Sequence, residues 1–228
     1  MGLTVRPEIF PIGDFHIAST KQSQIFADYL NMRKESCVVL LGDIVHFANS
    51  LWNPSVLQLS RAELRLGLAK DLSIWEDFLG RLKVPTIYYF GTHEGLASRV
   101  MGKLLSTKLR LENEFVLIPK ENHVIKLGSG SGQLYLTGLH IPDNIHPDPK
   151  SEEFVHRKAM IERWIERKVG TLDISKPSKT VFCTHDPCDV FYRNLGYRAL
   201  TLMLKKWPFK VHYHAHIHSN MRNTLIGK

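Results

Sequence analysis

The chain has 228 residues, 43% of them apolar, and 30 basic against 22 acidic side chains give it a formal charge of +8. That is enough chain and apolar content for an extensive core. No apolar run approaches the roughly 18 residues of a membrane-spanning helix, and the opening MGLTVRPEIF carries neither a signal-like stretch nor a cleavage pattern, so a cytoplasmic single domain spanning 1–228 is expected. Cys37, Cys183 and Cys188 are odd in number, few and without CxxC spacing, which argues against a disulfide framework or zinc knuckle; they read as reduced core or near-site thiols. The basic excess favours a polyanionic partner such as nucleic acid. Arg157, Lys158, Arg163, Arg167 and Lys168 read first as a solvated helix face.

In chain order, a short apolar strand spans Glu8 to Asp14, and Ser19 and Thr20 then open an amphipathic helix carrying Ile25, Phe26, Tyr29 and Leu30. Cys37 to Asp43 is a continuous β-branched and Leu run, the pattern of a strand buried on both faces. After a polar loop with Asn49 and Pro54, residues 55–82 are helix-rich and lead to a third strand, VPTIYYFG, ending at Gly91. This repeated strand–helix rhythm predicts parallel strands with ligands at their carboxyl ends, where Asp14, Asp43 and His93 fall.

The middle of the chain supplies short strands in FVLIP, NHVIKL and QLYLTGL, with Gly128 to Gly132 joining the last two at hairpin length. A phosphate-cradling loop would need a following Lys-Ser/Thr and a helix, which are missing. Ser151 to Lys168 reads as a helix with Phe154, Ile161, Trp164 and Ile165 on its core face. TVFCTH is another buried strand ending at His185, Leu200 to Leu204 is helical, and FKVHYH is a final strand running into His216 and His218.

Four segments carry the chemistry: Gly13-Asp14-Phe15-His16, Gly42-Asp43, Gly91-Thr92-His93-Glu94 and Ala215-His216-Ile217-His218. Hard divalent ions that polarise phosphate oxygens are held by carboxylates and imidazoles. Asp14 and His16 can aim at one ion, Asp43 can bridge two, and His185, His216 and His218 can complete both shells. Each piece alone is common, but every one follows an apolar strand on what should be one sheet edge.

The set resembles the calcineurin-like metallophosphoesterase superfamily, whose motifs run DxH, GD, GNH(D/E), a later H and GHxH, matched here over residues 14 to 218. The resemblance implies an α/β four-layer αββα sandwich with a dinuclear centre, manganese first among Mn, Fe, Zn and Ni. It implies that Asp14, His16 and His218 hold one metal, that Asp43 bridges, and that His185 and His216 hold the other. His93 contacts the phosphate and assists the leaving group, and a metal-activated hydroxide attacks phosphorus in line.

Thr92 stands where the family has an Asn ligand, so the second site is expected to be weakened and activity reduced. Ala215 replaces the first Gly of the last motif, which touches only the turn. Ten residues follow His218 where relatives usually add strands, so the second sheet is expected to be abbreviated. His212 and His214, which a strand puts on one face with His216 and His218, read as partly exposed strand surface. The loop His140 to His146 reads either as an overhang above the metals or as a surface loop, and Pro187-Cys188 as a turn leading to a helix.

The second motif continues as GDIVHFANSLWNPS and is loosely similar to the nuclease subunits of double-strand-break repair complexes. That likeness places His46 beside the transferred phosphate. With the basic balance it favours a phosphodiesterase acting on DNA, RNA or nucleotides. One alternative is a phosphomonoesterase or protein phosphatase, since Glu94 matches the protein phosphatase form of the third motif. A second is a metal-poor scaffold that binds partners through the same fold.

Overall fold

The strand–helix rhythm closes into two sheets. The computed structural model describes residues 7–35, 37–47, 61–94, 113–120, 123–141, 152–172, 174–190 and 196–216. Strands β1 (Ile9–Ile12), β2 (Cys37–Leu40), β3 (Thr86–Tyr88) and β4 (Val116–Leu117) pair in that order, all parallel. The second sheet runs β5 (Ile125–Leu127), β6 (Leu134–Leu139), β7 (Thr180–Thr184), β8 (Val211–Tyr213), with only the β5–β6 pair antiparallel. That pair is the expected hairpin, and a 3₁₀ turn at Gly130–Gly132 fills its connection. Residues 217–228 lie outside the described residues, as do Asn49, Pro54 and 142–146.

Period-two alternation on the central strands decides the layers. Cys37, Val39, Leu41, Ile87 and Tyr89 of the first sheet pack against Leu136, Val181, Cys183 and Ala215 of the second. The opposite faces carry Val38, Leu40 and Tyr88, which meet α1 (Thr20–Asn31) and α2 (Arg61–Gly80). On the far side Leu139 and Phe182 meet α3 (Glu152–Gly170) and α4 (Arg198–Lys206). The order is therefore helix, sheet, sheet, helix, as expected. All three cysteines are buried and free, and burial pushes the Cys37 thiol up to about 12, leaving it inert at neutral pH. Among the described residues no helix is long and apolar enough to cross a membrane.

Two details depart from the sequence pattern. On α1 the buried residues are Ser23, Ala27 and Leu30, while Ile25 and Tyr29 are exposed. Small side chains let α1 approach α2, where Ser23 Oγ donates to Asp77 Oδ2 at 2.6 Å. Ser19 caps the helix by accepting from Gln22 N–H at 3.3 Å.

The second departure is at β8, where His212 and, just after the strand, His214 are buried and not surface groups. The Thr184 hydroxyl donates to Asp186 O at 2.6 Å, so its oxygen receives the Nε2–H of His212 at 2.7 Å, which fixes the His212 tautomer. Burial first, then His214, pushes His212 down to about 3. A histidine held neutral in the fold but free to protonate when unfolded contributes stability present above about pH 6.5 and lost as pH falls toward the folded value. His212→Gln, which keeps a donor near Nε2, should therefore flatten acid destabilisation between pH 6.5 and 4.5. The native chain's denaturation free energy should fall more steeply, by up to about 1.4 kcal/mol per pH unit. Equal slopes in urea titrations would refute the assignment.

Candidate metal centre

The first sheet's strand ends stay zipped beyond the strands themselves. Asp14 N–H donates to Gly42 O at 3.1 Å, His16 N–H to Asp43 O at 3.0 Å and Ile17 N–H to Ile44 O at 2.8 Å, which sets the Asp14–His16 turn against the Asp43 turn. Asp14 (φ 57°), His16 (47°), Asp43 (51°) and His216 (70°) all have left-handed backbone, and among the described residues no other non-glycine does. Each such residue costs on the order of 1–3 kcal/mol and persists where its surroundings over-determine it. All four are residues that the sequence marks for metal chemistry.

Two glycines let the turns close. A Cβ on Gly42 would run into the backbone of Gly91, and one on Gly91 would meet Asp43 N at 2.6 Å and His185 Nδ1 at 2.8 Å. The second and third motifs therefore meet backbone to backbone, directly beside His185.

Asp43 lies at the centre. Its Oδ1 accepts the His93 N–H at 2.8 Å, and its Oδ2 faces His185 Nε2 at 3.1 Å and His93 Nε2 at 3.8 Å. The carbonyl oxygen of Leu41 can only accept, so the 2.7 Å contact with His185 Nδ1 puts a proton there and turns Nε2 toward Asp43. His216 Nδ1 lies 3.0 Å from His185 Nε2 and 3.7 Å from Asp186 Oδ1. Ligand atoms of Asp14, His16 and Asp43 fall within 4.8 Å of one another, and so do those of Asp43, His185 and His216. Asp43 belongs to both groups, and either group can hold a metal ion.

Burial works to raise the Asp43 carboxyl and to lower His185. Their mutual attraction and hydrogen bond override it in both, holding Asp43 well below the usual carboxylate range and His185 well above the usual imidazole range. His93 goes the other way. Burial outweighs the pull of Asp43, His16 and His46 add to the lowering, and His93 falls to about 4. The centre thus contains an ion pair whose positive half a metal can replace.

The structure brings Asp14, His16, Asp43, His46, His93, His185 and His216 together. His46 Nδ1 lies 3.5 Å from His16 Nδ1, and its ring centroid is 5.4 Å from that of His93. Thr92 is buried and opens a helical turn over residues 92–94. His218 lies outside the described residues. A continued β8 would carry His216 to the face of His212 and His214, but its left-handed backbone ends the extended run, and its ring lies across that of His185 at 4.9 Å.

Three contributors were missed in the sequence or given another role there. Asp186, next to His185 and buried, flanks His216; an acidic residue directly after a strand-end histidine was the available signal. His140 is neither an overhang nor a surface group. Its Nδ1 accepts the Phe90 N–H at 2.9 Å and its Nε2–H donates to Pro119 O at 2.8 Å, so it clips the end of β6 to the first sheet. The third is Glu94, which is 0% exposed. Its Oε2 accepts from Asp43 N at 2.8 Å and Gly91 N at 3.0 Å, and its Oε1 from Ile44 N at 2.8 Å and Tyr88 OH at 2.6 Å. Tyr88 OH in turn accepts from Trp75 Nε1 at 3.0 Å. Read from the sequence as a mark of substrate class, Glu94 is instead the clamp that pins the Asp43 turn.

No family model matches the chain, and no curated protein does. Among solved structures, the chain is similar to a phosphopantetheinyl hydrolase from Mycobacterium tuberculosis, at 14% identity and a TM-score of 0.48, over 95% of this chain and 85% of that one.

Proposed function

We propose that the chain is a calcineurin-like metallophosphoesterase, a phosphodiesterase acting on nucleic acid or nucleotides. The observation that carries the reading is one buried carboxylate, Asp43, shared between an Asp14–His16 group and a His185–His216 group. In this reading Asp14, His16 and His218 hold one divalent cation and Thr92, His185 and His216 the other, with Asp43 on both. The donor set fits, since carboxylates and imidazoles suit manganese, iron and zinc, and His185 has its second nitrogen anchored on Leu41 as a ligating histidine requires. The bound cations supply a water ionised near neutral pH and polarise the phosphoryl oxygens.

The protein's own groups do the rest. Asp43 would serve both ions, and its Oδ1 also fixes the His93 backbone. Depressed to about 4, His93 meets a phosphate as a neutral hydrogen-bond donor whose N–H stabilises charge gathering on the leaving oxygen. His46, beside His16 and His93, adds a further imidazole on the same side. That imidazole and the +8 charge favour a diester of nucleic-acid type. The monoesterase reading loses its support, because both oxygens of Glu94 are committed to backbone and Tyr88.

With manganese, hydrolysis of bis-p-nitrophenyl phosphate should exceed that of p-nitrophenyl phosphate by about tenfold or more, roughly 1.4 kcal/mol of transition-state preference. A faster monoester overturns the diester assignment. A manganese-loaded chain that hydrolyses neither is the partner-binding scaffold. Thr92→Asn restores an amide oxygen where a shorter hydroxyl stands. It should bring manganese toward about two ions per chain by metal analysis and raise turnover several-fold. No gain in either would mean the second site is complete without residue 92.

A further inference from the structure

His93 and His46 have roles beside a phosphate in the reading above, yet with His16 they make a third cluster that neither metal position uses as a set. Their ligand nitrogens all lie within 4.8 Å of one another. The ring centroids are 4.8 Å apart for His16 and His93, 5.4 Å for His46 and His93, and 5.5 Å for His16 and His46. Three imidazoles on one tetrahedral zinc, each about 2.0–2.1 Å from the metal, place their nitrogens about 3.3 Å and their ring centroids about 5.2 Å apart. The observed separations bracket that value, and His46 Nδ1 and His16 Nδ1, at 3.5 Å, stand close to the nitrogen spacing.

We propose that His16, His46 and His93 form an additional, imidazole-only site for a borderline-soft divalent cation of the zinc, copper or nickel class. Its donor set gives this site a different preference from its neighbour. It contains no carboxylate, whereas the adjoining group offers Asp14 and Asp43, and imidazole nitrogen selects zinc, copper and nickel where carboxylate oxygen serves manganese and magnesium.

His16 belongs to both groups, so the two sites compete for one ring. A zinc ion on the three imidazoles takes His16 from the carboxylate-rich site and His93 and His46 from a phosphate. For this inhibitory consequence the proposal rests on the proposed function; the site itself does not.

Asp43→Asn tests the site apart from the dinuclear centre. The amide keeps an oxygen for the His93 N–H but removes the carboxylate that both metal groups share. After equilibrium dialysis this variant should retain about one zinc per chain and no manganese. Adding His46→Gln should then weaken zinc binding by about tenfold or more, and cobalt(II) substituted for zinc should give the intense visible bands of a four-coordinate site that the double variant lacks.

Loss of zinc by a folded Asp43→Asn, or zinc binding indifferent to His46→Gln, overturns the proposal. If Asp43→Asn does not fold, His46→Gln in the otherwise native chain decides. A weaker zinc isotherm and relief of zinc inhibition with manganese present support the site, and isotherms identical to the native chain's sink it. Zinc retained by Asp43→Asn together with no manganese on the native chain would sink the two-metal reading and leave this site standing.

Discussion

Replacing Asp43 by Asn should lower manganese affinity by more than about 100-fold, since even outer-shell partners of metal ligands are worth 10–100-fold, and hydrolysis should fall with it. The reason is electrostatic as much as geometric. The Asp43 carboxylate is held ionised and His185 protonated, each by the other, with burial working against both. A metal that takes His185 Nε2 must expel its proton. Manganese uptake near neutral pH should therefore release close to one proton per chain, and apparent affinity should rise by up to about tenfold per pH unit while pH stays below the raised His185 value. Calorimetry in buffers of differing ionisation enthalpy reads the proton directly.

The same pair has a stability consequence opposite in sign to that of His212. Because the folded His185 value is raised, its contribution is present below about pH 6.5 and is lost as pH climbs through the folded value. Asp43→Asn removes that dependence. Unchanged manganese content and unchanged proton release in the variant would mean that Asp43 bridges nothing.

Much of this centre was legible in the sequence because strand ends are legible. Cys37 to Leu40 and Thr180 to Thr184 are short β-branched and apolar runs whose ends, Asp43 and His185, were legible as strand-end residues. The sequence pattern put them on one sheet edge, whereas the two runs lie in separate sheets, and the face-to-face packing of those sheets brings the two residues together from 142 residues apart. Period two failed where the backbone leaves the extended region. His216 could not be separated from His212 and His214 without knowing its φ of 70°. Composition also misled at α1, where apolar Ile25 and Tyr29 are exposed because Ser23 and Ala27 fit the tight approach of α2. What the sequence withheld most completely was direction. Glu94 and His140 look like site groups by type and place, and only the hydrogen bonds show that Glu94 faces backbone and Tyr88, and that His140 ties two sheets together.

That direction gives Glu94 the second large effect. Each of its oxygens accepts two hydrogen bonds, and three of the four donors are backbone N–H groups of Asp43, Ile44 and Gly91. Glu94→Gln preserves shape but turns one oxygen into a donor. Whichever way the amide sits, at least one buried backbone N–H of the Asp43 and Gly91 turns then faces another donor, at a cost of about 1–3 kcal/mol. For a chain of this size that is a melting-point loss of roughly 2–12 °C. Glu94→Asp, one methylene short, should not rescue it. The left-handed turn at Asp43 is the part set free, so the variant's manganese dissociation constant should rise by about tenfold or more when measured well below its melting point, as for outer-shell partners of metal ligands. A merely structural role would lower the melting point and leave manganese affinity intact. Glu94→Gln with native metal affinity would therefore end the clamp assignment, whereas a joint loss of both would tie the left-handed backbone of Asp43 to the carboxylate behind it.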